Sequence, residues 1–204
     1  MKVLTYHQHS DITSYLVSRD EQLHDLFKLK DEIKVHINDR YYEALVDAII
    51  AQQLSSKVAF VISKRVYEFL KQDVTPEHIL NTSDEDLRQC GLSYQKISYL
   101  KSLAQCISDG KVSFDGIDQK TDQEVIDMLI QVKGIGVWTA QMFLIFSLGR
   151  EDVFSVGDLG LRNAVKKIYQ NPELSHQDIE KIAERWSPYR SVVSHFLWHA
   201  WDFE

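Results

Sequence analysis

Apolar residues recur at helical spacing along most of the chain. Ala44, Leu45, Ala48 and Ile49 share one face, and Val58, Ala59, Ile62, Val66 and Leu70 share another. The interruption Gln52-Gln53-Leu54-Ser55 separates them, so Glu43 to Leu70 predicts two helices, with Ser55 as N-cap of the second. Thr75-Pro76-Glu77 opens a short helix with proline in its first turn. Ser83-Asp84-Glu85-Asp86 reads as a capping box ahead of Leu87, and Gly91 closes that helix. From Tyr94 to Ser108 one face carries Ile97, Leu100, Leu103, Ala104 and Ile107. Further helices are predicted over Asp122–Ile130, Trp138–Leu148, Asp158–Tyr169, Ser175–Trp186 and Tyr189–Trp201. Alternating polarity is confined to Met1–Tyr6, and no repeat or Pro/Gly/Ser linker divides the chain. The pattern predicts an all-α, bilobal protein. Residues 41–150 would form a central helical bundle and residues 1–40 plus 151–204 a second lobe, with a ligand groove between them.

Composition narrows the function classes. A chain of 204 residues, 44% hydrophobic, can bury a substantial core. No run of about eighteen apolar residues occurs and no signal-peptide core follows Met1, which predicts a cytoplasmic protein that does not enter a membrane. Cys90 and Cys106 are too few for a disulfide framework or an iron–sulfur cluster. The net charge of −7 argues against a generic DNA-coating protein but leaves room for one that grips a few phosphates through backbone amides. Acids concentrate in Asp11–Glu32 and Thr82–Asp86, while Lys133, Arg150, Arg162, Lys166, Lys167, Lys181, Arg185 and Arg190 lie further along.

Two segments carry candidate chemistry. In Val132-Lys133-Gly134-Ile135-Gly136-Val137-Trp138-Thr139-Ala140 a Gly-x-Gly hairpin joins two helices. It aims amides of Gly136, Val137 and Trp138 outward, where an anion such as a DNA phosphate can accept them, with Lys133 alongside. The same three residues also read as a glycine stop between two packed helices. Downstream, Ser155-Val156-Gly157-Asp158 opens another helix. Asp158 reads as an N-cap, and a carboxylate so placed can also stabilise a cation forming on a sugar as an N-glycosidic bond breaks. Trp186 and Trp201 read as core, whereas Trp138 beside the hairpin offers a flat wall for a flipped base. His195 and His199 have metal-binding spacing without a third ligand and read as one helix face.

These residues resemble the helix-hairpin-helix (HhH-GPD) DNA glycosylases, and within them the 3-methyladenine DNA glycosylase II branch. The strongest segment runs from Val132 to Ala164, with Asp152-Val153-Phe154 and Asp158 in the family's order. Ala48-Ile49-Ile50-Ala51-Gln52-Gln53-Leu54-Ser55 and Arg185-Trp186-Ser187-Pro188-Tyr189-Arg190 resemble further family segments. The resemblance implies a bilobal helix-hairpin-helix glycosylase fold with its active site in the cleft between lobes. It makes Asp158 the catalytic aspartate, and Trp138, Trp198, Gln52 and Met142 the base pocket. Gln53 or Leu54 would wedge into the gap left by the flipped nucleotide, and Lys133, Gly134, Gly136, Val137 and Thr139 would hold a phosphate. Family members often bind a monovalent cation, sodium or potassium, on hairpin carbonyls, here those of Ile130, Val132 and Ile135. No other cofactor is implied.

Three features are expected to depart from the family. Lys133 replaces a hairpin proline, and Met142 stands where a relative has a tyrosine. The β-rich N-terminal domain of longer bacterial relatives is absent, so Tyr6, Tyr41 and Tyr42 are the candidates for the wall it would supply. The lysine of strand-cutting relatives is replaced by Trp138, which has no amine for a Schiff base. The implied activity is monofunctional release of alkylated purines such as 3-methyladenine from double-stranded DNA, by a single chain. The alternatives are a glycosylase for mispaired or oxidised bases, a non-catalytic helix-hairpin-helix DNA-binding module, and an all-helical scaffold for protein partners.

Overall fold

A computed structural model describes residues 2–201, with the side chain of Trp201, expected in the core, outside the described part. Its elements in chain order are β1 (Val3–His7), α1 (Asp11–Arg19), α2 (Leu23–Phe27), β2 (Glu32–His36), α3 (Tyr41–Ala51), α4 (Ser56–Phe69), α5 (Pro76–Asn81) and α6 (Asp84–Gln89). They are followed by α7 (Tyr94–Ser108), a 3-10 turn at Ile117–Gln119, α8 (Asp122–Leu129), α9 (Val137–Phe146), α10 (Leu159–Ile168), α11 (His176–Glu184) and α12 (Arg190–Trp201). The chain divides into two compact units, residues 39–143 and residues 1–38 with 144–204, so the second boundary falls inside α9 and not after it. No helix among the described residues is long and apolar enough to cross a membrane.

Caps place most of the helices. Ser55 accepts the Val58 amide at 3.4 Å and starts α4, and Thr75 accepts that of His78 at 3.2 Å ahead of Pro76. Full capping boxes form at Thr121–Glu124 and Ser175–Asp178. The box expected at Ser83–Asp86 forms only in part: Ser83 Oγ accepts the Asp86 amide at 3.1 Å, while the Asp86 carboxylate takes up the Ser83 hydroxyl at 2.7 Å. In residues 39–143, α3 packs on α4 and α7, and α5 and α6 pack on α7, around fully buried Leu45, Ile49, Val66, Leu87, Ile97 and Leu100.

The other unit departs from a purely helical reading. β1 and β2 pair antiparallel, from Val3 opposite His36 to His7 opposite Glu32. Glu32-Ile33-Lys34-Val35-His36 is too short and polar to announce itself; pairing with β1 gives it a buried face through Val35 and Tyr6. Below the sheet lie α10, α11 and α12, packed around Trp186, Phe196, Leu161 and Val165. Buried Asp20 accepts the indole N–H of Trp186 at 2.9 Å and the hydroxyl of Tyr169, tying the end of α1 to that core.

Candidate active site

Each unit carries one group of the candidate residues. In residues 39–143 the hairpin follows from where its apolar side chains point. Leu129, Val132 and Ile135 are buried, which turns Lys133, Gly136, Val137 and Trp138 outward. Val132 N–H donates to the Leu129 carbonyl at 3.1 Å and Ile135 N–H to that of Val132 at 3.0 Å, closing two successive turns. Gly134 sits at φ +92°, a conformation that only glycine adopts without strain, and a Cβ there would lie 2.2 Å from Tyr99 Cδ2. Gly136 is different: a Cβ would meet nothing within 4 Å. Beyond it, Val137 and Thr139 lie in the first turn of α9, where amides precede any intrahelical acceptor and the helix end is electropositive. Thr139 itself is buried. Lys133 donates its amide to Ser102 Oγ at 3.0 Å and its ammonium to Ser98 Oγ at 3.1 Å, so α7 holds this side chain against the hairpin.

Beside the hairpin a groove of about 930 Å³ is lined by Gln52, Gln53, Leu54, Gly134, Trp138, Thr139 and Met142, all named from the sequence, together with Ser93, Gln95, Lys96 and Tyr99 of the α7 end. Trp138 is 46% exposed, unusual for so large an apolar side chain. The Gln52 amide donates to the Gly134 carbonyl at 2.8 Å. Gln53 stands at φ +58°, a left-handed conformation that costs a non-glycine residue roughly 1–2 kcal/mol and persists where surroundings impose it. Lys96 Nζ donates to the Ile50 carbonyl at 2.7 Å, and partial burial holds its ammonium below the usual lysine pKa.

In the other unit, Asp158 is the N-cap of α10 and half-buried. Its Oδ1 accepts the Leu161 amide at 2.9 Å and the indole N–H of Trp198 at 3.2 Å. Cap and aromatic wall, expected as separate roles, therefore meet on one oxygen. Behind Trp198 stand Phe146, 5.4 Å away between ring centroids, and His195 at 5.7 Å, the latter also stacked on Tyr6. His195 is 7% exposed, and burial pushes its pKa down to about 4, so the imidazole is neutral at physiological pH.

The segment leading to Asp158 is laced to the start of α12. Asp152 accepts Arg190 Nε at 2.8 Å and Nη2 at 3.1 Å, and also the Ser187 hydroxyl at 2.8 Å, which together hold its carboxyl below the usual range against the opposing effect of burial. Ser191 Oγ accepts the Val153 amide and donates to the Val153 carbonyl, at 2.9 and 3.0 Å. This lacing fixes the loop that bears Asp158 against the helix that bears Trp198.

Some sequence expectations change. Of the cations noted in the sequence, Arg190 pairs with Asp152 and Arg162 donates to the Val156 carbonyl at 2.7 Å, so both help to hold the segment around Asp158. Of the tyrosines offered as a replacement wall, Tyr6 is 4% exposed with its hydroxyl on Glu151 at 3.1 Å, and Tyr41 packs against Phe114 and Phe143. Nothing in the residue pattern singles out Tyr99, Gln95 or Lys96, which reach the groove from a helix distant in the chain. Asp152 and Arg190 stand 38 residues apart in the chain, with nothing in the sequence to mark them as partners.

Comparison with known proteins gives concordant matches. Residues 46–188 match the family described as HhH-GPD superfamily base excision DNA repair protein. A DNA-3-methyladenine glycosylase of Schizosaccharomyces pombe is 37% identical over 161 residues, 77% of this chain and 71% of that protein. A solved DNA-3-methyladenine glycosidase from Bacillus halodurans superposes with a TM-score of 0.88 at 34% identity, covering 97% of this chain and 92% of that one. The S. pombe 3-methyladenine DNA glycosylase, solved in complex with abasic DNA, gives 0.80 at 33% identity, covering 93% and 95%.

Proposed function

Since the chain belongs to the HhH-GPD superfamily of base excision DNA repair proteins, we propose that it is a DNA glycosylase that extrudes alkylated purines of the 3-methyladenine type and hydrolyses their N-glycosidic bond. It acts as a single chain on double-stranded DNA and leaves an abasic site. The observation that carries the reading is the half-buried Asp158 carboxylate, with the Trp198 indole N–H and an α10 amide on one oxygen. Two fixed donors hold that group in place before the substrate arrives, so little reorganisation is needed as positive charge grows on the sugar. An alkylated purine is already cationic and leaves readily, so the enzyme must stabilise the oxocarbenium-like sugar more than protonate the base. The exposed Trp138 indole and the partly buried Trp198 indole offer electron-rich faces to such a base through cation–π attraction.

The hairpin amides and Lys133 receive a phosphate, and Gln53 or Leu54 fills the stack that the extruded nucleotide leaves. Trp138 brings no amine, so no Schiff base forms and the sugar–phosphate strand stays intact. The main-chain carbonyls of Ile130, Val132 and Ile135 are neutral oxygen donors beside the C-terminal end of α8, which suits a monovalent cation that would add positive charge near the phosphate.

Asp158→Asn tests the reading. Asparagine retains the N-cap, so the variant should fold, while release of bases from methylated DNA, followed by chromatography, should fall roughly 10²–10³-fold or more. Full activity in the variant would refute the assignment.

A further inference from the structure

The turn between α3 and α4 is held by side chains from elsewhere. With Gln53 in the left-handed region, Leu54 N–H donates back to the Ala51 carbonyl at 3.1 Å, and Ser55 starts the next helix. Lys96 of α7 caps the end of α3 through the Ile50 carbonyl at 2.7 Å. Gln52 reaches in the other direction and donates to the Gly134 carbonyl at 2.8 Å. Gly134 is itself packed closely against the Tyr99 ring, and Gln95 donates to the Tyr99 hydroxyl at 2.6 Å. A continuous run of contacts, Gln95–Tyr99–Gly134–Gln52, thus leads from α7 through the hairpin to the turn.

We propose that Gln52 is a positioning residue: its amide sets the stack-filling turn Gln53–Leu54 at a fixed distance from the phosphate-binding hairpin, so that grip and wedge act on the same nucleotide. The proposal rests on the glycosylase reading above and gives Gln52 a different task from lining the base pocket. A wedge must enter the duplex at a set offset from the gripped phosphate, and an error of about 1 Å in such placement slows a reaction considerably. Removing the strut should matter most where the lesion must be pulled out of a base pair, and least where no partner base holds it.

Gln52→Met keeps the length of the side chain and loses the donor, whereas Gln52→Glu sets a carboxylate oxygen against the Gly134 carbonyl. Single-turnover release of 7-methylguanine is measured from a duplex with cytosine opposite the lesion, and from the same duplex with a tetrahydrofuran abasic analogue opposite. Thermal midpoints are recorded for each variant. Both variants should be about tenfold slower on the paired duplex, the loss expected for one hydrogen bond, and only about twofold slower on the opened one. A 2-aminopurine placed beside a tetrahydrofuran site should brighten on binding wild-type protein, and much less with either variant. Equal slowing on both duplexes, or wild-type rates on the paired one, overturns the proposal while the glycosylase reading stands. A wild-type protein that releases no base from either duplex and no 3-methyladenine from methylated DNA overturns that reading, and the coupling with it.

Discussion

Gly134→Ala asks whether the hairpin's shape is imposed from inside the protein. The new Cβ would lie 2.2, 2.3 and 2.7 Å from Tyr99 Cδ2, Cγ and Cε2, where carbon atoms normally approach to about 3.5 Å. The ring would have to move by more than about 1 Å, and the bond from Gln95 to its hydroxyl opposes this. Overpacking of this kind costs about 1–3 kcal/mol, and φ +92° adds about 1–2 kcal/mol for a residue with a side chain. The sum, about 2–5 kcal/mol, corresponds to a thermal midpoint lower by roughly 5–15 °C, measured by calorimetry or circular dichroism. Tyr99→Ala combined with Gly134→Ala removes the overlap and keeps the backbone strain. The two changes should therefore destabilise by about 1–3 kcal/mol less together than the sum of each alone. Gly136→Ala is the contrast: its Cβ meets open space, so stability should change by no more than about 0.5 kcal/mol, while under the proposed function affinity for abasic DNA should fall because the methyl would intrude on the gripped phosphate. If Gly134→Ala is tolerated as well as Gly136→Ala, or the double change is additive, the geometric argument is wrong.

His195 makes stability depend on pH. Its folded pKa, about 4, lies below the unfolded value near 6.5, so its contribution is complete above 6.5 and is lost as pH falls toward 4, by on the order of 3 kcal/mol. Thermal midpoints between pH 7 and 4.5 should drop more steeply in the wild type than in His195→Phe, which retains an aromatic ring against Tyr6, Phe146 and Trp198; matching slopes would refute the assignment. Arg190→Lys replaces a two-pronged contact to Asp152 with a single one and should lower stability in urea by about 1 kcal/mol, the pair being partly exposed. No change in the urea midpoint would show that the lacing of this loop does not depend on the fork.

Helices were legible where caps and apolar spacing agreed. Tyr94–Ser108 appears with the bounds its pattern predicts, Ser55 and Asp158 cap their helices as expected, and the helices expected to open at Thr75 and Ser175 begin there with those residues as caps. Groups within one short segment were legible for the same reason, the Gly134–Trp138 hairpin above all. Contacts between distant segments were not. Nothing in Glu32–His36 names Val3–His7 as its partner, and nothing local to Asp158 shows that the Trp198 indole donates to it. Nor does the residue type reveal that Gln53 takes a left-handed backbone, in a tight turn closed by Leu54 N–H on the Ala51 carbonyl, because that position ordinarily announces itself with glycine or asparagine.

Residues 39–143 build their unit from one unbroken stretch, whereas the other unit needs residues 1–38 to find residues 144–204. On the ribosome the first can condense as soon as it emerges, and the second must wait for the last helix and then close a long loop. Under the proposed function, a growing or prematurely ended chain would hold the phosphate hairpin and the wedge before Asp158 has met Trp198. Under that reading, a chain ended after residue 143 would carry the phosphate grip and the wedge without the carboxylate that stabilises the sugar.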